Sequence, residues 1–126
     1  MSGWDPHLQR LLSSAKCQAG LYGMDGTQWA GVHSLPLPSE EVKYIIGGFA
    51  SSATLFASGP KVNGVKYFAT RADGELIVLK HGTDGLVASK SKQAITFCKF
   101  SEEDITPAMA VIRTTSFADY LKSIGY

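Results

Sequence analysis

Ile105–Tyr126, ITPAMAVIRTTSFADYLKSIGY, is the stretch that decides how this chain is read. It has the pattern of a helix. Thr106 supplies a hydroxyl to accept from unpaired backbone N–H groups, and Pro107 follows with a ring already set at a helical φ. Ala110, Thr114, Phe117, Leu121 and Ile124 recur at steps of three and four residues, which places them along one side of a cylinder as a buried stripe. Gly125 closes the end in a left-handed conformation. Tyr120 falls on the flank of the stripe and Tyr126 lies beyond it, so two phenols are left without a place in the core. Trp4 stands at the other end of the chain. The pattern predicts that the two termini meet and that their aromatic rings form a binding surface.

Outward from that helix, Trp4–Ala15 (WDPHLQRLLSSA) reads as another. Asp5 caps it, Pro6 fits its first turn, and Leu8, Leu11, Leu12 and Ala15 share one face. Two short apolar runs, Cys17–Tyr22 and Gln28–Val32, flank Asp25-Gly26, a hairpin signal because those residues tolerate positive φ. Trp29 therefore lies on the second strand. Pro36 and Pro38 mark an extended connector. Ser39 then caps a helix whose early acids, Glu40 and Glu41, favour the positive end of its dipole. Val42, Ile45, Ile46 and Phe49 line its buried side, and Ser51–Ser58 reads as a loop with a helical turn.

From Lys61 onward short strands follow one another with turn residues every eight to ten positions. Lys66–Thr70, Leu76–His81, Leu86–Ser89 and Ala94–Phe100 are the expected strands, with turns at Ala72-Asp73-Gly74 and Gly82-Thr83-Asp84-Gly85. Strands joined by tight glycine turns pair antiparallel. The expectation is an α+β fold, one meandering antiparallel sheet with helices packed on its faces, forming a single domain over residues 1–126.

At 126 residues the chain can bury roughly two-thirds of its unfolded surface without a metal or disulfide. Its 44% hydrophobic content is too high for disorder. Twelve basic against eleven acidic residues leave a net charge of +1, which gives no argument for a nucleic acid partner. Cys17 and Cys98 have neither a C-x-x-C nor a zinc-like spacing and read as reduced, buried thiols of a cytosolic protein. With no leader and no apolar run near 18 residues, the expectation is an intracellular, soluble protein.

A catalytic constellation is missing. His7, His33 and His81 fall in three separate elements, none at helical spacing from another metal ligand. There is no nucleophile elbow, phosphate-cradling loop or calcium loop. Glu40-Glu41 and Glu102-Glu103-Asp104 are explained by capping and solvated loops. The expectation is a protein that is not an enzyme and takes no cofactor or metal. The terminal aromatics remain unexplained. Rings that bury well yet carry an N–H or O–H suit a polyproline II ligand, whose free carbonyls accept while its prolines stack.

SGWDPHLQRLL, GLYGMDGTQWA, LPSEEVKYIIGGF, GVKYFATRADG, KSKQAITF and the ending ITPAMAV…ADYLKSIGY together resemble the profilin family, in order and over essentially the whole chain. The resemblance implies a single antiparallel sheet with N- and C-terminal helices packed together on one face and smaller helices on the other. It also implies a monomer of the cytoplasm and cytoskeleton that regulates actin filament assembly. Implied partners are monomeric actin, proline-rich segments of actin-assembly proteins such as formins, and phosphoinositide head groups. The proline groove of the family matches Trp4, His7, Trp29, Tyr120, Leu121 and Tyr126. Many relatives carry tyrosine where this chain has His7, so His7→Tyr is expected to tighten a proline decamer. The actin face matches Lys66, Arg71, Ile105, Ala108, Val111 and Thr115. Ala108 replaces a usual glycine, Val111 a usual asparagine and Thr115 a common acid, which together predict a weaker actin complex. For head groups the nearest basic residues are Lys66, Lys80 and Lys122, a scattered set of the kind that more often is a solvated surface. Two other readings stand beside the actin adaptor: a proline-binding module with weak or lost actin binding, and a small-ligand sensor domain whose sheet encloses a polar-lined pocket.

Overall fold

The computed structural model describes residues 18–24, 28–32, 39–57, 59–62, 64–102 and 106–126, with backbone alone for Gln18, 28–32, Ser39 and Ser52. Within these, strands β1 (Gln18–Gly23) and β2 (Gln28–Val32) are followed by helices α1 (Ser39–Gly47) and α2 (Ser52–Ala57). Next come β3 (Lys61–Val62), β4 (Val65–Lys66), β5 (Phe68–Ala72), β6 (Leu76–His81), β7 (Asp84–Lys90) and β8 (Ala94–Ser101), and helix α3 (Pro107–Ser123) closes the order. The expected helix at Trp4–Ala15, the Asp25-Gly26 turn, the Pro36/Pro38 connector, the Ser39 cap and Cys17 all lie outside what is described.

Six strands form one antiparallel sheet in the order β2-β1-β8-β7-β6-β5, and β3-β4 make a separate two-stranded ribbon. The meander expected from the turns holds for β5 through β8. The first hairpin does not continue it: β1 lies against the last strand, with Ala19 opposite Cys98 and Tyr22 opposite Ile95. Strand alternation then sorts side chains to two faces. Ala19, Leu21, Leu76, Val78, Val87, Ala94, Cys98 and Phe100 face α3, meeting Ala110, Phe117 and Leu121. Tyr22, Ile77, Leu79, Leu86, Ala88, Ile95 and Phe97 face the other way, toward Val42, Ile45, Leu55, Val62 and Tyr67. The long terminal helix is thus on one face and the small helices are on the other, as expected.

Two readings change. Within the stretch expected as a loop with a helical turn, Ser52–Ala57 forms a six-residue helix, α2, which buries Leu55 completely. The single strand expected at Lys66–Thr70 is broken at Tyr67. Its backbone N–H donates to the Pro60 carbonyl at 2.8 Å, and its ring is buried, so the chain leaves β3 before Tyr67 and joins β6 after it.

Candidate functional site

Helix α3 carries two distinct ends. At its start Thr106 adopts extended backbone, and its Oγ1 accepts from the Met109 N–H at 3.2 Å, with Pro107 in the first turn, as the Thr-Pro pair predicts. Ala110, Thr114, Phe117, Ala118 and Leu121 form the buried stripe. The Thr114 hydroxyl, desolvated there, donates to the Ala110 carbonyl at 2.7 Å. Ile124, expected on the stripe, sits past the last turn and is 44% exposed. Ala118 takes its place in the core.

Gly125, at φ 92°, turns the chain back on the helix end. The Tyr126 N–H then donates to the Leu121 carbonyl at 2.8 Å. The Tyr126 carbonyl in turn accepts from the Gln93 N–H and, at 3.0 Å, from the Ser91 hydroxyl on the β7–β8 turn. Tyr126 and Tyr120 are 39% and 36% exposed. The Tyr120 ring leans on Phe117 with centroids 6.2 Å apart. Leu121, expected in the proline groove, is fully buried, its side chain in the core between α3 and the sheet. Trp4, His7 and the Trp29 side chain lie outside the described residues.

At the other end, Ala108 is exposed. Val111 is half-buried against the core under α3. The Thr115 hydroxyl is spent on the helix itself, donating to the Val111 carbonyl at 2.8 Å. Arg71 stands opposite Val78 in the ladder, and Val78 belongs to that same core, so Arg71 and Val111 share one face of the sheet. Arg71 Nε lies 3.3 Å from Asp73 Oδ2. Lys66 is on the β3–β4 ribbon, paired with Lys61, whereas Arg71 is on β5 of the six-stranded sheet. Ile105 lies outside the described residues. Sequence reasoning missed Phe68, which pairs across from Lys80 on the α3 side and is 66% exposed. Its place in GVKYFATR between two basic residues was the available signal.

The three lysines matched to phosphoinositide head groups, read from the sequence as a scattered set, lie on three different elements. Lys80 pairs with Glu102 and lies 6.0 Å above the Phe100 ring. Lys122 Nζ is 3.6 Å from Glu75. Both face the α3 side, while Lys66 belongs to the ribbon.

Two titrating groups are displaced, Asp73 at the β5–β6 turn and Tyr67 in the core under the short helices. The Asp73 carboxylate accepts from the Glu75 and Leu76 N–H groups at 2.8 Å each, which holds it below the ordinary carboxylate range, with Arg71 adding to the effect. Burial, and then the Asp84 charge, push the Tyr67 phenol up. A cleft of about 340 Å³ lined by Glu40, Glu41, Tyr44, Gly59 and Lys61 lies at the margin of α1, not between sheet and helix as the sensor reading expects.

Comparison with known proteins places this geometry among relatives. A family model described as Profilin matches residues 2–126. Profilin-A of Physarum polycephalum is 35% identical over 108 residues, covering 86% of this chain and 85% of that protein. The structure of Acanthamoeba castellanii profilin IB superposes with a TM-score of 0.90 at 28% identity, over 98% of this chain and 100% of that one. Mouse profilin IIa, solved in complex with a double repeat from the FH1 domain of mDia1, shares the fold at 16% identity, with a TM-score of 0.75 over 99% of this chain and 100% of that one.

Proposed function

The chain belongs to the profilin family of actin-binding regulators, and we propose that it is an actin-monomer-binding adaptor that also takes proline-rich ligands. The observation that carries this reading is the pair of half-exposed phenols, Tyr120 and Tyr126, at one end of α3, with the Arg71/Val111 surface near the other. Twelve residues of helix separate Ala108 from Tyr120, roughly 18 Å of rise, so a peptide on the phenols leaves the helix start free for a globular partner. Delivery of a monomer needs both sites occupied at once, and this spacing permits it.

Each end has its own chemistry. The phenol rings offer flat apolar faces to prolines and O–H donors to the free carbonyls of an extended polyproline II strand. In this reading Trp4, His7 and Trp29 complete the groove. The actin surface is assigned to Arg71, Ala108, Val111 and Thr115, joined by Phe68, with Lys66 and Ile105 at its margin. Its polar contribution is thin, since Thr115 is turned into its own helix and Val111 into the core, which supports a moderate actin affinity. Phosphoinositide binding receives no support from the lysine geometry. Cytoplasmic and cytoskeletal residence follows from the partners.

Titration with a proline decamer, followed by tryptophan fluorescence, tests the groove, and co-sedimentation with monomeric actin tests the surface. Tyr120→Ala is expected to weaken the decamer about tenfold, a loss of about 1.4 kcal/mol, and to leave actin binding unchanged. Binding of the decamer with no effect on actin assembly would select the module that has lost actin.

A further inference from the structure

Tyr126 is held by the sheet, and the side chain that holds it is almost sealed from water. Ser91 begins the β7–β8 turn, its backbone N–H donating to the Ala94 carbonyl at 2.9 Å. Its hydroxyl reaches the same carbonyl at 3.1 Å and the Tyr126 carbonyl at 3.0 Å. The residue is 4% exposed. A serine inside a tight turn needs one acceptor, and the Ala94 carbonyl is at hand. The second acceptor comes from thirty-five positions away, and two residues on the Gln93 N–H donates to it as well.

We propose that Ser91 is a positioning residue for the proline-rich site. Its hydroxyl, with the Gln93 amide, pins the Tyr126 backbone to the sheet and so fixes the phenol beside the end of α3. This rests on the reading of Tyr120 and Tyr126 as the ligand-binding rings. The physical need is plain. Past Ser123 the chain is no longer helical, and Gly125 gives it freedom, so each bond to the Tyr126 backbone narrows the positions its ring can take. A ring that must be ordered on binding costs affinity; one already ordered does not. The anchor is made to the main chain, so it acts whatever the ring itself contacts.

The test uses the full chain with Ser91→Ala, Ser91→Thr, Tyr126→Ala and the Ser91→Ala/Tyr126→Ala double variant. Affinity for a proline decamer is read by fluorescence, and protection of the Gln93 amide by hydrogen exchange. Ser91→Ala is expected to bind about fivefold more weakly, the equivalent of one ordinary hydrogen bond, with faster Gln93 exchange. Ser91→Thr, which keeps the hydroxyl, is expected to restore binding. In the Tyr126→Ala background the serine change is expected to add nothing, because its effect passes through that ring. A lowered Tm with unchanged decamer affinity, or a Gln93 amide as protected as in the parent chain, overturns the proposal. A parent chain that ignores the decamer overturns the proline-binding reading instead, and the Gln93 amide still decides whether Ser91 anchors Tyr126.

Discussion

Beneath the long helix the sheet buries small and polar side chains; beneath the two short helices it buries bulky apolar ones. The α3 side is built from Ala19, Ala94, Cys98 and Ala110 among larger residues. The four buried polar side chains among the described residues belong there too: Ser89 and Thr96 sit opposite one another in the β7–β8 ladder, in line with Leu76 and Leu21, while Ser91 and Thr114 touch α3 or its tail. The opposite side has Tyr22 and Phe97 in edge-to-face contact, centroids 5.2 Å apart, with Ile45, Ile77, Leu79 and Ile95 around them. That second core is filled chiefly by large apolar and aromatic side chains. On the first, hydrogen bonds from Ser91 and Gln93 fix where the tail of α3 lies, and that is the side on which the ligands are proposed to dock. A binding face needs its rings held at set positions, and non-directional apolar contacts hold position less strictly than paired donors and acceptors.

This contrast can be broken by substitutions on either side. Phe97→Ala should have the largest effect, lowering stability by about 3–5 kcal/mol in chemical denaturation, since its fully buried ring leaves a cavity that rigid neighbours fill poorly. Decamer affinity of the folded fraction should not change; a change would couple the two faces. Gly85→Ala comes next. A methyl there would run into the Phe100 ring, which lies over the glycine on the α3 side, so about 1–3 kcal/mol should be lost through overpacking. An unaltered Tm would mean that this side is looser than it looks.

Asp73→Asn serves as a control at the β5–β6 turn, outside both cores. It keeps an oxygen acceptor and removes the charge. Because the folded carboxylate titrates below its ordinary value, its contribution is present above the unfolded pKa of about 3.9 and is lost as pH falls through the lower folded value. The group is half exposed, so the variant should lose well under about 1 kcal/mol at pH 7 and converge with the parent in strong acid. The smallest effect sharpens the contrast most. The Thr96 hydroxyl is fully buried and finds no hydrogen-bond partner. Thr96→Val should therefore be neutral or raise stability by up to about 1 kcal/mol, because it removes an unpaid desolvation. A clear loss of stability would show that the α3 side depends on every one of its polar groups.

Much of the candidate site was legible from residue order because its signals are local. Thr106-Pro107 sets the start of α3, the three-and-four spacing sets its buried side, and Gly125 sets the turn that brings Tyr126 back. Leu121 shows the limit: spacing placed it on the buried stripe, likeness to a family's groove placed it among ligand contacts, and the structure shows its side chain fully buried in the core under α3. Lys80 and Lys122 looked like free cations in the sequence because nothing local reveals that Glu102 and Glu75 meet them across the fold. Phe68 passed unremarked for the opposite reason. An aromatic in a strand is ordinarily an inward residue, and which face stays uncovered depends on how far α3 reaches across the sheet.

By itself the sequence determined α1, α3, the strands β1, β2 and β6 to β8, the turns from β5 to β8 and the family, since caps, turn residues and periodicity act over a few positions of chain. The tertiary structure alone decided that the first hairpin lies against β8, that the chain changes partners at Tyr67, and that Ser91 meets Tyr126. Those contacts join residues far apart along the chain, and what selects them is the joint burial of both faces of the sheet.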